Sequence, residues 1–174
     1  MNIRKATLQD AAGIAKVHVD SWRTTYKGII PQNFLDSLSY EKRTKLWQTN
    51  IENPNYVVFV AENDNGEIIG FVDGSTRETN QEPNASDLTS IYLLELYQGT
   101  GVGKQLLKAI MQSFKERDFQ TIYVDVLAEN NTRHFYEYYG AEYVKTVQLN
   151  FSGKIIDEAI YVWNDIEAVL NKLQ

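Results

Sequence analysis

Ile91-Tyr92-Leu93-Leu94-Glu95-Leu96-Tyr97-Gln98-Gly99-Thr100-Gly101-Val102-Gly103-Lys104-Gln105-Leu106-Leu107 is the stretch that decides the fold. It opens as an apolar strand and ends in a helix whose apolar face, Val102, Leu106 and Leu107, continues through Ile110 and Phe114. Between the two, Gly99, Gly101 and Gly103 alternate. Glycine lets the backbone turn sharply and lets a ligand come close to it. The first turn of the helix leaves N–H groups without partners, and the helix dipole adds partial positive charge there. Strand, glycine loop and helix start together form an anion site suited to a pyrophosphate.

Two common pyrophosphate loops are excluded. A P-loop needs a glycine with four residues between it and Gly-Lys-Ser/Thr, but position 98 is Gln and Lys104 is followed by Gln105, so the magnesium-binding hydroxyl is missing. The dinucleotide pattern G-x-G-x-x-G fails because position 104 is Lys, and it belongs near the first strand of a βαβ unit, not after four strands.

Outward from this loop, the N-terminal side starts with a short strand, Ile3 to Ala6. Thr7 and Asp10 resemble a capping box opening a helix with Leu8, Ala11, Ala15, His18 and Trp22 on one face. Phe34, Leu35 and Leu38 suggest a further helical turn or two, and Ser39 caps a helix carrying Leu46 and Trp47. Tyr56 to Glu62 and Ile68 to Gly74 read as a hairpin around Asn63-Asp64-Asn65-Gly66. Arg77 to Asp87 is polar, a lid or simply a long solvated connection, and Thr89 to Leu94 is the next strand. On the C-terminal side come a strand (Thr121 to Leu127), a short helix ending at Gly140, and a hairpin of Tyr143 to Leu149 and Ile155 to Trp163 around Ser152-Gly153. Asn164 and Glu167 suit the start of a tail helix. The order of elements implies a mixed α/β sheet rather than a repeating βα array.

The 174 residues suit one domain, and 43% hydrophobic with 23% charged residues is the balance of a globular protein. The chain has no cysteine, which excludes disulfides, thiolate zinc sites and a cysteine nucleophile. The N-terminus lacks the apolar run of a signal peptide, and no stretch approaches the roughly 20 apolar residues of a membrane span. A net charge of −6 with no run of more than two adjacent basic residues argues against nucleic acid and leans toward cationic partners.

The pattern that fits the glycine loop is Gln-x-x-Gly-x-Gly, at Gln98, Gly101 and Gly103. It resembles the acetyl-CoA-binding motif of the GNAT (GCN5-related N-acetyltransferase) superfamily. The resemblance implies that Gln98, Gly99, Thr100, Gly101, Val102, Gly103 and Lys104 hold the CoA pyrophosphate, and that Ile91, Tyr92 and Leu93 pair with the pantetheine arm. A second stretch, Asn130 to Gly140, resembles the superfamily's Asn-x-x-x-x-Phe-Tyr-x-x-x-Gly. It places Asn130 on the CoA arm and Tyr136 as general acid, with the register open between Asn130 and Asn131 and with Asn131 or Thr132 available as helix cap. A tyrosine suits that role: departing CoA needs a proton on sulfur, and a phenol with a pKa of about 10 is protonated at neutral pH. Tyr138 and Tyr139 compete for it, and all three could instead be packing against the sheet.

Trp22-Arg23-Thr24-Thr25-Tyr26-Lys27-Gly28 looks like a bacterial branch of uncharacterised GNAT proteins with Trp-Arg-x-x-Tyr-x-Gly. Trp22 and Tyr26, four residues apart, either wall the acceptor pocket, as an aromatic surface for a cation, or cover the sheet as core. Asp73, Asp87, Glu95 and Asp125 are candidate bases, and none stands out. The expectation is a GNAT-fold acyl-CoA N-acyltransferase with a central, mostly antiparallel sheet flanked by helices. One N-acetyltransferase domain spans 1–174, with a tail helix at about 165–173. It moves acetyl from acetyl-CoA, its co-substrate, to a primary amine of a small molecule or peptide by direct attack. The alternative is a catalytically weak CoA-binding or sensing module. No metal, nucleic acid or membrane is expected, a homodimer is admissible, and the expected compartment is the cytoplasm.

Overall fold

In a computed structural model describing Met1–Gln174, strand β1 (Asn2–Lys5) leads to Thr7, whose amide donates to the Asp10 carboxylate at 2.7 Å. Arg4 grips the same carboxylate with two bonds of 2.8 Å. A single 3₁₀ turn, Leu8–Asp10, lies between this cap and helix α1 (Ala11–Thr25). That turn advances at three residues per revolution, so Leu8 falls off the face its spacing implied and is 45% exposed. Ala11, Ala15 and His18 stay on the buried face, joined by Ile14. Helices α2 (Gln32–Asp36) and α3 (Tyr40–Glu52) follow, α3 capped by the Ser39 hydroxyl. In α3, Trp47 is buried and Leu46 is exposed.

Strands β2 (Tyr56–Glu62) and β3 (Ile68–Ser75) form the expected hairpin, with Gly66 at φ +80° and the Asn63 side chain accepting from the Asn65 and Glu67 amides. Strand β4 spans Ala85–Leu93, four residues further back than its apolar pattern suggested. Ser86 and Asp87 read as loop because they are polar, yet both are buried. Arg77 pays for burying Asp87, donating its backbone N–H and placing its guanidinium 3.1 Å from the carboxylate. Helix α4 (Val102–Glu116), strand β5 (Thr121–Leu127), helix α5 (Thr132–Tyr138), strands β6 (Glu142–Phe151) and β7 (Lys154–Trp163), and helix α6 (Ile166–Lys172) complete the chain. Ser152 and Gly153 both take positive φ, the geometry of a tight hairpin turn. Helix α6 is capped by the Asp165 carboxylate rather than by Asn164, whose side chain bonds Glu142 instead.

The seven strands lie in the order β1-β2-β3-β4-β5-β7-β6, all neighbours antiparallel except β4 and β5. The larger core, with Leu106, Ile110, Phe114, Val124 and Tyr136, sits between the sheet and α4, α5 and α6. The opposite face packs Phe71 and Val60 against α1 and Trp47. No helix is long and apolar enough to cross a membrane.

What positions the site is a break in the sheet. Parallel pairing of β4 with β5 runs only from Ala85↔Thr121 to Leu88↔Val124. At the next residue Thr89 is an extra residue against β3, where Asp73 pairs Ser90 and Gly74 pairs Leu88. Such a bulge bends its strand. Beyond it β4 stays on β3 as far as Leu93, while β5 stays on β7 as far as Leu127. The two strands therefore part into a wedge.

Candidate active site

The wedge leaves one edge of β4 free. Ile91 and Leu93 are paired on the β3 side, to Val72 and Gly70, with no β5 residue opposite them on the other. A cleft of about 540 Å³ fills the gap. It is lined by Val126, Phe135 and Tyr136 from the α4 side of the sheet and by Trp22, Tyr26 and Leu127 from the α1 side, so it passes through the sheet.

The glycine loop closes one end. Gly99 and Gly101 stand at φ +73° and +87°, in the left-handed region that disfavours other residues, and Gly101 is the residue preceding α4. A Cβ on Gly101 would meet no protein atom within 4 Å, so the space beside it is open. The first turn of α4 carries no acidic residue, which keeps its N–H groups available to an anion. Gly99, Gly101, Gly103 and Lys104 line the cleft, as do Gln98, Ile91, Tyr92 and Leu93. The Gln98 amide donates to the Leu93 carbonyl at 3.2 Å, joining loop to strand. Thr100 turns its hydroxyl back to the Tyr97 carbonyl, and the Val102 side chain is buried in the core, so each meets the loop only through its backbone.

From the other side α5 brings Asn130 and Tyr136. Asn130 is buried at the cleft, and its side-chain oxygen accepts from the Thr132 amide at 2.9 Å. It thus performs the capping that Asn131 or Thr132 could have supplied. Tyr136 lines the cleft with 4% of its surface exposed and its ring edge-on to Trp163. Burial, then the neighbouring Tyr26, holds its phenol well above the ordinary value, so it is protonated at neutral pH. Tyr138 points outward, 76% exposed, whereas Tyr139 also borders the cleft.

The α1 side supplies aromatic rings and carboxylates. Tyr26 and Tyr92 share a hydroxyl–hydroxyl bond of 2.9 Å. Trp22 meets Tyr26 edge-on, but the guanidinium of Arg43 already stands 5.6 Å over the Trp22 ring. Its cation–π capacity is engaged within the protein, and Trp22 offers the cleft apolar surface. His18, on the same face of α1, stacks on Tyr92 and accepts from the Trp47 indole at 3.1 Å. Burial pushes its pKa down to about 3, so it is a neutral packing residue.

The structure separates the four candidate bases. Glu95 lies in an exposed 3₁₀ turn outside the cleft. Asp73 is buried behind the cleft lining, bonded to the Ser90 hydroxyl, with burial pushing its pKa up to about 7. Asp87 is held by Arg77. Asp125 borders the cleft but is also paired with Arg77. A fifth carboxylate, Glu158 on β7, was missed. It lines the cleft beside Leu127, its register partner on β5, and forms no ion pair. Burial, then Asp125, raises its pKa. Alternation on β7 could have found it, because Glu158 lies two residues from the buried Ile156 and so on the same inward face.

Residues 18–141 match the acetyltransferase (GNAT) family. The chain is 35% identical to the uncharacterised N-acetyltransferase YuaI of Bacillus subtilis strain 168, over 97% of this chain and 96% of that protein. It is 26% identical to a spermidine N(1)-acetyltransferase of Thermoplasma acidophilum, over 67% of this chain and 72% of that one. Among solved structures, the PaiA N-acetyltransferase of Thermoplasma acidophilum in complex with coenzyme A superposes with a TM-score of 0.72 at 24% identity, over 90% of this chain and 96% of the other.

Proposed function

The chain belongs to the GNAT acetyltransferase family, and on that premise we propose that it moves the acetyl group of acetyl-CoA to a primary amine by direct attack in the wedge between β4 and β5. One observation carries the reading: the free edge of β4, the positive-φ glycines before α4 and the buried phenol of Tyr136 all border the same cleft. The comparison protein of like fold was solved with coenzyme A. Acetyl-CoA offers a pyrophosphate for the α4 start and an amide-bearing arm for the unpaired β4 edge.

The steps use this chain's own groups. An ammonium acceptor first loses a proton to Glu158, directly or through water. Burial raises that carboxylate's pKa and makes it a better base near neutral pH. The amine lone pair then attacks the thioester carbonyl; a C–N bond forms and the C–S bond breaks. Tyr136 gives its proton to the departing sulfur, and the proton left on the new amide nitrogen returns to the phenolate. The sum is amide, free thiol and one proton, which Glu158 releases to solvent. Incubating the protein with acetyl-CoA and a panel of amines, with thiol release and acetylated product both measured, tests the assignment. Equal amounts of thiol and amide are expected. Tight acetyl-CoA binding without turnover on any amine would instead make the chain a CoA-sensing module.

A further inference from the structure

The acceptor half of the cleft carries more information than the presence of an amine. Three carboxylates lie along this face of the sheet at β4, β5 and β7: Asp87, Asp125 and Glu158. Arg77 reaches in from the 76–84 connection and pairs with two of them, Asp87 at 3.1 Å and Asp125 at 2.5 Å. Of the two carboxylates that line the cleft, Asp125 and Glu158, only Glu158 has no ion-pair partner, and Arg77 acts on it only at longer range. Tyr26 and Tyr136 line the same cleft as Glu158.

Moving away from Tyr136, the wall is Trp22, Ile30, Leu149 and Phe151. The rings of Phe34 and Phe151 meet edge-on at 4.7 Å, and Trp22 lies 6.3 Å from Phe151. Lys154 donates to the Ile29 carbonyl at 2.7 Å, fastening the β6–β7 hairpin onto the segment after α1. This far end holds no carboxylate for a second ammonium, and the nearby Lys154 would repel one. Apart from the Trp22 indole N–H, which has no partner within the protein, these side chains offer nothing to the backbone N–H and C=O groups of a peptide, whose burial without hydrogen bonds is costly.

We propose that the acceptor is a monocationic amine with an aromatic or branched apolar body, such as an arylalkylamine, its ammonium at Glu158 and its body against Trp22, Ile30, Leu149 and Phe151. The proposal rests on the acetyl-transfer reading above and sets this chain apart from its relative named for spermidine, a linear polycation. Arg77 occupies Asp125, the other carboxylate of the cleft.

The test compares 2-phenylethylamine, spermidine and a short peptide with an N-terminal alanine as acceptors for the full chain with acetyl-CoA. Calorimetry of each amine with CoA-saturated protein accompanies it. The expected kcat/KM for 2-phenylethylamine exceeds the other two by about tenfold or more, a difference of about 1.4 kcal/mol. Glu158→Gln should weaken its binding to the CoA complex by a similar factor. Phe151→Glu, which adds a second carboxylate at the far end, should shift preference toward spermidine. Higher kcat/KM for spermidine or the peptide would overturn the proposal. So would acetyl-CoA binding with no measurable binding of 2-phenylethylamine. Failure to bind acetyl-CoA would overturn the transfer reading itself, and the acceptor class with it.

Discussion

Substituting Gly101 by alanine separates the cofactor role of the loop from its backbone requirement. Gly101 stands at φ +87°, and a Cβ there meets no protein atom within 4 Å. The cost to the free protein is therefore conformational rather than steric, about 1–2 kcal/mol for holding an L-residue in the left-handed region. Gly66, in the turn between β2 and β3, has the same two properties, φ +80° and open space, and does not line the cleft. Gly66→Ala is thus a matched control. Urea denaturation followed by tryptophan fluorescence should show both variants losing similar stability. Calorimetry should then show Gly101→Ala alone losing affinity for acetyl-CoA, by about tenfold or more, equivalent to about 1.4 kcal/mol, because its methyl group enters the space where backbone would meet phosphate. Equal stability losses with equal, unchanged affinity would refute the placement of the pyrophosphate on this loop.

Tyr136→Phe keeps the ring that packs on Trp163 and removes only the hydroxyl, so turnover should fall by ~10²–10⁴-fold with acetyl-CoA affinity nearly unchanged; full turnover in this variant alongside its loss in Tyr139→Phe would move the acid one turn along α5. The same change at Tyr138, 76% exposed, should leave the rate unaltered. Because burial lowers the His18 pKa from 6.5 to about 3, the unfolded chain binds a proton that the folded chain does not, so the His18 contribution is complete above about pH 6.5 and declines as pH falls toward 3; Asp73, raised to about 7, opposes it over the same range, because there the folded chain holds a proton the unfolded chain has lost. The His18 slope alone approaches about 1.4 kcal/mol per pH unit, so the stability difference between wild type and His18→Gln should change by about that much per unit between pH 6.5 and 5; a difference that stays constant across the urea profiles would contradict this. Asp10, lowered to about 2 chiefly by Arg4 and further by the Thr7 amide and hydroxyl, acts in a more acidic window: its contribution is present above about pH 4 and lost as pH falls toward 2, and Arg4→Ala should shrink that step in an acid titration followed by circular dichroism.

The elements with strong periodicity were legible in the sequence. The α4 face of Val102, Leu106, Leu107, Ile110 and Phe114 is buried as its spacing required, and both hairpin turns formed where glycine allows positive φ. Misreadings arose where tertiary contacts overrode local pattern. Ala85 to Asp87 form strand because Arg77, ten residues before Asp87, neutralises a carboxylate that reads as solvated. Leu8 lost its buried place to a turn of different pitch. The glycine loop and Tyr136 stood out because each sits in a dense local pattern, and both border the cleft. The wedge could not, because it depends on where two strands distant in sequence stop pairing. Glu158 was overlooked for a related reason: a charge two residues from Ile156 looks ordinary until the strand is known to face a cleft.

The central claim is that acetyl-CoA lies along the free edge of β4 with its pyrophosphate at the start of α4. Amide chemical shifts of isotope-labelled protein, followed during titration with acetyl-CoA and separately with ATP–magnesium, test it most directly. With acetyl-CoA, the amides of Ile91, Tyr92, Leu93 and of Gly99 through Lys104 should move first and furthest and saturate together, while ATP–magnesium leaves them in place. Shifts confined to other parts of the chain, or saturation of the glycine-loop amides by ATP–magnesium but not by acetyl-CoA, would contradict the account.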